Sequence, residues 1–124
     1  MKRVQRRVAV IDDDESVRES LPDLLRQFGY AVMAFGSAEE FLGFERRLDF
    51  HCLILDIAMP GMSGPELYRE LETRGESLPV IFITGHADTD TRSTLRNKGA
   101  IDVLIKPFSA EELLSALETA LPPG

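Results

Sequence analysis

Carboxylate, hydroxyl and ammonium side chains stand at the ends of short apolar runs in this chain. Asp12, Asp13, Asp14 and Glu15 follow the run 8–11, and Asp56 follows 52–55. Thr84 closes the run 80–83, and Lys106 follows 101–105. Carboxylates gathered in one place repel one another, and a hard divalent cation relieves that conflict. Mg²⁺ takes oxygen ligands and commonly uses one or two carboxylates plus a phosphate oxygen. A lysine and a hydroxyl on the far side would meet the remaining phosphoryl oxygens as a point charge and a hydrogen-bond donor. These residue types suit phosphoryl transfer with a carboxylate, Asp56, as covalent acceptor. Singly, each has an ordinary use: acids favour a helix N-terminus, threonine suits a strand, and Lys-Pro makes a turn. The set gains weight only if the fold brings its members to one edge.

The hydrophobic period supplies such a fold. Residues 8–11 read as a strand, and helical spacing follows at Val17, Leu21, Leu24 and Phe28, with Gly29 as the stop. Pro22 lies inside that helix and predicts a local irregularity there. Residues 30–35 make a second strand, and the capping box Ser37-Ala-Glu-Glu40 opens a short helix with Phe41, Leu42 and Leu48 on its face. After the third strand (52–55) and a turn of Pro60, Gly61, Ser63 and Gly64, Pro65 begins a helix carrying Leu67, Tyr68 and Leu71. Residues 80–83 form the fourth strand. The helix expected over 88–98 has Leu95 as its sole large apolar residue and should be held loosely. A fifth strand (101–105) and a second capping box, Ser109-Ala-Glu-Glu112, lead to a last helix with Leu113, Leu114, Leu117 and Leu121.

Five strand–helix alternations give an α/β fold, a doubly wound five-stranded parallel sheet flanked by five helices. The first, third and fourth runs are wholly apolar and belong at the centre; the other two belong at the edges. That assignment predicts the strand order 2-1-3-4-5, whose crevice opens beside the first and third strands at their carboxyl ends.

The 124 residues suffice for one domain, read as 1–121, with Pro122-Pro123-Gly124 as a tail or the start of a linker. Cys52 is the single cysteine, which fits a small hydrophobe in a strand and a reducing, cytoplasmic setting. No apolar segment follows the basic start, so neither a signal peptide nor a membrane span is expected. The net charge is −7, and four of the 14 basic residues (Lys2, Arg3, Arg6, Arg7) crowd the first seven positions. The acidic body that remains argues against direct nucleic-acid binding by this chain. His51 and His86 lack partners at metal-ligand spacing and read as a residue leading into a strand and a loop residue. Gly61 and Gly64 serve the turn and fit neither a dinucleotide-binding nor a P-loop pattern.

The chain resembles the receiver domain of bacterial two-component response regulators over essentially its whole length. The resemblance rests on Val-Ala-Val-Ile-Asp12-Asp13-Asp14, Leu-Ile-Leu-Asp56-Ile-Ala-Met-Pro-Gly-Met-Ser-Gly, Phe-Ile-Thr84-Gly-His and Gly-Ala-Ile-Asp-Val-Leu-Ile-Lys106-Pro-Phe. The Met-Pro-Gly-Met-Ser-Gly and Thr-Gly-His strings look most like the FixJ-like branch, which usually carries a C-terminal helix-turn-helix domain. The resemblance implies a flavodoxin-like receiver fold in which Asp56 accepts a phosphoryl group from a phosphohistidine on a sensor histidine kinase. It implies Mg²⁺ bound directly by Asp13 and Asp56, through water by Asp12, and by the backbone carbonyl of Ala58. Thr84 and Lys106 would touch the phosphoryl oxygens, and the Lys106-Pro107 bond would be cis.

In such domains an aromatic residue usually stands where this chain has Val103, and swings inward as the threonine engages the phosphoryl group. Ile105 likewise replaces a residue that is often polar. These departures suggest that Val103 and Ile105 enlarge an apolar surface on the fourth helix, fifth strand and fifth helix, used for dimerisation. Against the signalling module stand a Mg²⁺-dependent aspartyl phosphatase, a flavin-binding sheet and a degenerate receiver. The phosphatase needs a second carboxylate two residues after its nucleophile, where this chain has Ala58. A flavin phosphate would be repelled by Asp12, Asp13 and Asp14, and a degenerate receiver would lack site residue types that are all present here. A stand-alone receiver acting by protein contact remains open beside one that controls transcription.

Overall fold

A strand buried on both faces must be apolar at every position, and three segments of the chain meet that demand. The computed structural model describes residues 5–85 and 89–121. Its central strands are β1 (Arg7–Ile11), β3 (Cys52–Asp56) and β4 (Val80–Thr84). The edges are β2 (Ala31–Phe35) and β5 (Asp102–Ile105). All neighbours pair parallel in the order β2-β1-β3-β4-β5, the order expected from the apolar runs.

The strand period of two divides the core. Val10, Ile54 and Ile83 face one side, where α1 (Glu15–Gln27) contributes Leu21 and Leu25, and α5 (Ala110–Ala120) contributes Leu113 and Leu117. Ile11, Leu55 and Phe82 face the other side. There α2 (Ala38–Leu42) supplies Phe41, α3 (Gly64–Thr73) supplies Leu67 and Leu71, and α4 (Thr89–Asn97) supplies Leu95. Phe35, Phe41, Phe44 and Phe50 stack edge-on or tilted beneath α2, with neighbouring ring centroids 5.4 to 6.1 Å apart.

The helix starts follow local chemistry. Asp14 caps α1 by accepting the Ser16 N–H at 2.9 Å, and Pro22 sits buried within a helix that continues through it. Ser63 with Glu66, and Ser109 with Glu112, form reciprocal capping boxes on α3 and α5. On α2 the box is opened: Ser37 accepts the Glu40 N–H, but the Glu40 carboxylate turns back to the Gly36 N–H at 3.1 Å. Gly29 stops α1 with φ +97°, as its position suggests.

Leu48 departs from the sequence reading. The short helix ends at Leu42, and Leu48 lies in a separate 3₁₀ turn (Arg47–Asp49), 63% exposed. A seven-residue spacing from Phe41 marks a common face only if the helix continues, and Gly43 ends it first. Among the described residues no helix is long and apolar enough to cross a membrane. Lys2, Arg3, His86, Asp88 and the tail 122–124 lie outside the described residues.

Candidate functional site

The parallel sheet delivers the carboxyl ends of β1, β3, β4 and β5 to one rim. At the first of these the Asp12 N–H extends the β1–β2 ladder by one bond, to the Phe35 carbonyl at 3.0 Å. That bond holds Asp12 at the sheet edge with no exposed surface. Its carboxylate is held at both oxygens: Oδ1 accepts the Asp14 N–H at 2.9 Å and Oδ2 accepts Lys106 Nζ at 2.8 Å. Arg18, from α1, donates to the Asp12 carbonyl at 3.1 Å. Asp13 stands exposed beside it.

Asp56 is the last residue of β3 and is buried, with Lys106 Nζ 3.7 Å from Oδ1. The next N–H, of Ile57, still bonds the Ile83 carbonyl at 3.0 Å, so the strand delivers Asp56 without slack. Thr84 ends β4, buried, and its carbonyl accepts the Lys106 N–H at 2.7 Å. One backbone bond thereby ties the hydroxyl residue to the lysine residue. The Lys106-Pro107 peptide is cis, as expected.

Asp12, Asp13 and Asp56 each offer a carboxylate oxygen, and these atoms lie within 4.8 Å of one another. Burial first, and then the charge of Asp12, push the Asp56 carboxyl up to about 7, against the opposing pull of Lys106. Burial pulls the Lys106 ammonium down, but its hydrogen bond to Asp12 and the charges of Asp12 and Asp56 leave it above its usual range. Lys106 is therefore a fixed cation. One ammonium faces three carboxylates, and the deficit of positive charge suits a hard dication with oxygen ligands. Asp14 is outside that balance: the Ser16 hydroxyl and N–H hold its carboxyl low, in its capping role.

The loop after Asp56 is bound to the rim. Gly64 opens α3 so close to β3 that a Cβ there would lie 2.2 Å from the Asp56 carbonyl oxygen, and its N–H bonds the Ile57 carbonyl at 3.0 Å. Met59 is buried in the core between these points, while Ala58 is exposed. With a methyl side chain, Ala58 can ligate a cation only through its backbone.

Val103 corrects the sequence reading. It pairs with Phe82, is 1% exposed, and packs in the core cluster that includes Leu95 and Ala100. A side chain enclosed in this way cannot enlarge a surface; only Ile105, half-buried on the same strand, remains partly accessible. His51 leads into β3, its Nδ1 accepting the Arg7 N–H at 2.9 Å, and burial pushes the Cys52 thiol up to about 12, which makes it inert. The fold thus gathers Asp12, Asp13, Asp56 and Lys106, with Thr84 adjoining. Arg18 is a supporting residue that the sequence did not reveal; helical spacing from the Asp12 turn was its only signal.

The response regulator receiver domain family matches residues 8–118. The response regulator protein TmoT of Ectopseudomonas mendocina is 45% identical over 114 residues, 92% of this chain and 52% of that protein. The transcriptional regulatory protein FixJ of Azorhizobium caulinodans is 44% identical over 92% of this chain and 54% of its own length. The chain spans about half the length of these curated relatives. Among solved structures, the response regulator StyR superposes with a TM-score of 0.86 at 44% identity, covering 95% of this chain and 60% of that one. The FixJ N-terminal domain superposes at 0.83 and 38% identity, with 95% and 94% covered. The rim described above, the strand order and these likenesses agree: the chain belongs to the response regulator receiver domain family of two-component signalling.

Proposed function

We propose that Asp56 accepts a phosphoryl group from a phosphohistidine of a sensor histidine kinase, in a Mg²⁺-dependent transfer. The observation that carries this reading is the buried Asp56 carboxylate clustered with Asp12 and Asp13, with Lys106 Nζ 3.7 Å away. Asp13 and Asp56 would hold the cation directly and Asp12 through water, with the Ala58 carbonyl completing the protein ligands. Asp12 suits the indirect role because its two oxygens are already committed to Lys106 and the Asp14 N–H. When bound, Mg²⁺ supplies charge neutralisation between the carboxylates and the phosphoryl oxygens.

An Asp56 carboxylate oxygen forms the new P–O bond as the P–N bond of the phosphohistidine breaks, and the imidazole nitrogen keeps the electron pair. Lys106 meets one developing phosphoryl charge without a change of protonation, and the Thr84 hydroxyl meets another. The reaction is acceptance followed by slow hydrolysis rather than turnover, because Ala58 provides no acid for a leaving alcohol. Residues 1–121 form the receiver unit, and 122–124 a tail or linker. The switch runs through Thr84 and Val103. Val103 acts by filling the space beneath α4 rather than by swinging a ring, and the response passes to α4, β5 and α5.

The output, by this reading, is dimerisation and control of transcription through an effector domain, since the matched relatives are about twice as long and include transcriptional regulators. A stand-alone receiver is favoured instead by the match to the chemotaxis protein CheY4 of Vibrio cholerae, whose whole length is covered at 26% identity. Incubation with acetyl phosphate and Mg²⁺ should add one acid-labile phosphoryl group by intact mass. Asp56→Asn should abolish the adduct, and undiminished labelling of that variant removes Asp56 as acceptor.

A further inference from the structure

We propose that Glu39 of α2 is a positioning residue for the phosphoryl-acceptor site, acting through the backbone of the loop that follows Asp56. The proposal rests on the reading of Asp56 and Ala58 given above. Two contacts carry it. Glu39 Oε2 accepts the Met62 N–H at 3.1 Å, across 23 residues of sequence. The same oxygen lies 2.8 Å from where a Cβ of Gly61 would stand, so the carboxylate is seated directly on the loop backbone. Gly61 has φ +76°, a conformation that side-chain-bearing residues rarely adopt.

The loop 57–63 is also held by the Gly64 N–H to the Ile57 carbonyl, by Met59 in the core with the Met62 side chain packed against it, and by the Ser63–Glu66 box. None of these engages the Met62 backbone N–H at the turn that Gly61 makes. Glu39 supplies that backbone bond. It can do so because α2 is itself anchored: Phe41 is fully buried, Ala38 likewise, and the neighbouring Glu40 clasps the Gly36 N–H. A carboxylate accepting a backbone N–H makes a charge-assisted bond, stronger than a neutral one. The loop carries the Ala58 carbonyl, so its rigidity sets how well that oxygen is presented to a cation held by Asp13 and Asp56. The alternative role for Glu39, a favourable charge at a helix N-terminus, predicts no dependence of the loop on this side chain.

The test compares wild type, Glu39→Ala and Glu39→Gln in three measurements: Mg²⁺ affinity by calorimetry, amide hydrogen exchange over 57–63, and thermal unfolding without metal. Glu39→Gln keeps an oxygen acceptor and loses the charge. Expected are a Mg²⁺ affinity about three- to tenfold weaker in Glu39→Ala, below the range for groups bonded to a ligand itself, with faster exchange confined to 57–63. Glu39→Gln should recover most of both. Unchanged affinity and exchange in Glu39→Ala overturn the proposal. So does equal weakening in Glu39→Gln, which would assign the effect to charge alone, and so does faster exchange spread over the whole chain. A wild type that takes up no Mg²⁺ sinks the reading of the site instead, and the exchange comparison then decides the latch by itself.

Discussion

The rim between β1 and β3 and the helix α4 on the same molecule are held in opposite ways. At the rim, buried charge is fixed by short bonds from several segments: Asp12 alone is engaged by Phe35, Asp14, Arg18 and Lys106. On α4, Leu95 is the one large apolar side chain in the core, and the C-terminal end is tied to its neighbours by polar contacts. There Arg96 pairs with Asp102, and the Tyr68 hydroxyl donates to the Lys98 carbonyl at 3.1 Å. Polar fixation is costly to build, but it leaves a site with a single geometry. A helix docked by one leucine can leave its place at small cost, and a segment that transmits a signal needs that freedom.

The contrast breaks first at Lys106. Lys106→Ala should slow phosphorylation by acetyl phosphate about 100-fold, the loss typical of one preorganised charge donor. It should also leave the buried Asp12 carboxylate without its cation, costing about 1–3 kcal/mol of stability in urea unfolding. Mg²⁺ affinity should hold or rise, because a positive charge has left the site. A parallel fall in Mg²⁺ affinity would mean that Lys106 organises the carboxylates rather than the phosphoryl group. Asp56 sharpens the same point through pH. Its folded carboxyl is pushed up to about 7, while an unfolded aspartate titrates near 3.8. Between these values the folded state binds the extra proton, so this group's contribution to metal-free stability falls as pH rises from about 4 to about 7. Mg²⁺ needs the ionised form, and should offset the loss most at the upper end of that window. The Asp56→Asn variant should lack the slope, and thermal unfolding across the range compares the two.

How legible each region was in the sequence follows from how it is held. The continuous apolar runs at 8–11, 52–55 and 80–83 identified the central strands, and the polar residue ending each run marked the rim. Asp12, Asp56, Thr84 and Lys106 could be read because strand ends in a parallel sheet point one way. Val103 was misplaced for the opposite reason. A valine in place of the usual aromatic suggested an enlarged apolar surface, yet it lies in the core cluster with Leu95 and Ala100. Side-chain alternation gives two faces and does not say which one is roofed. Glu39 was hidden too. Two adjacent glutamates at a helix start read alike, and only the three-dimensional approach of the loop separates their partners. Leu48 shows that helical spacing carries meaning only as far as the helix itself.

The mildest test falls on α4. Leu95→Ala removes a side chain that is 4% exposed, and in a rigid core such a truncation costs 2 to 5 kcal/mol. Here the loss should stop at about 1 to 2 kcal/mol, because α4 can undock before the sheet yields, and the cost of undocking caps what the whole molecule can lose. Hydrogen exchange over residues 90–97 should then accelerate, while the amides of Val10, Ile54 and Asp56 keep their protection. Phosphorylation of Asp56 should proceed at close to the wild-type rate, since the Asp12–Asp56–Lys106 cluster is built, among the described residues, from the ends of β1, β3 and β5. Loss of protection in β3 as well would show that α4 and the rim unfold as one unit. The two regions would then differ in chemistry but not in stability.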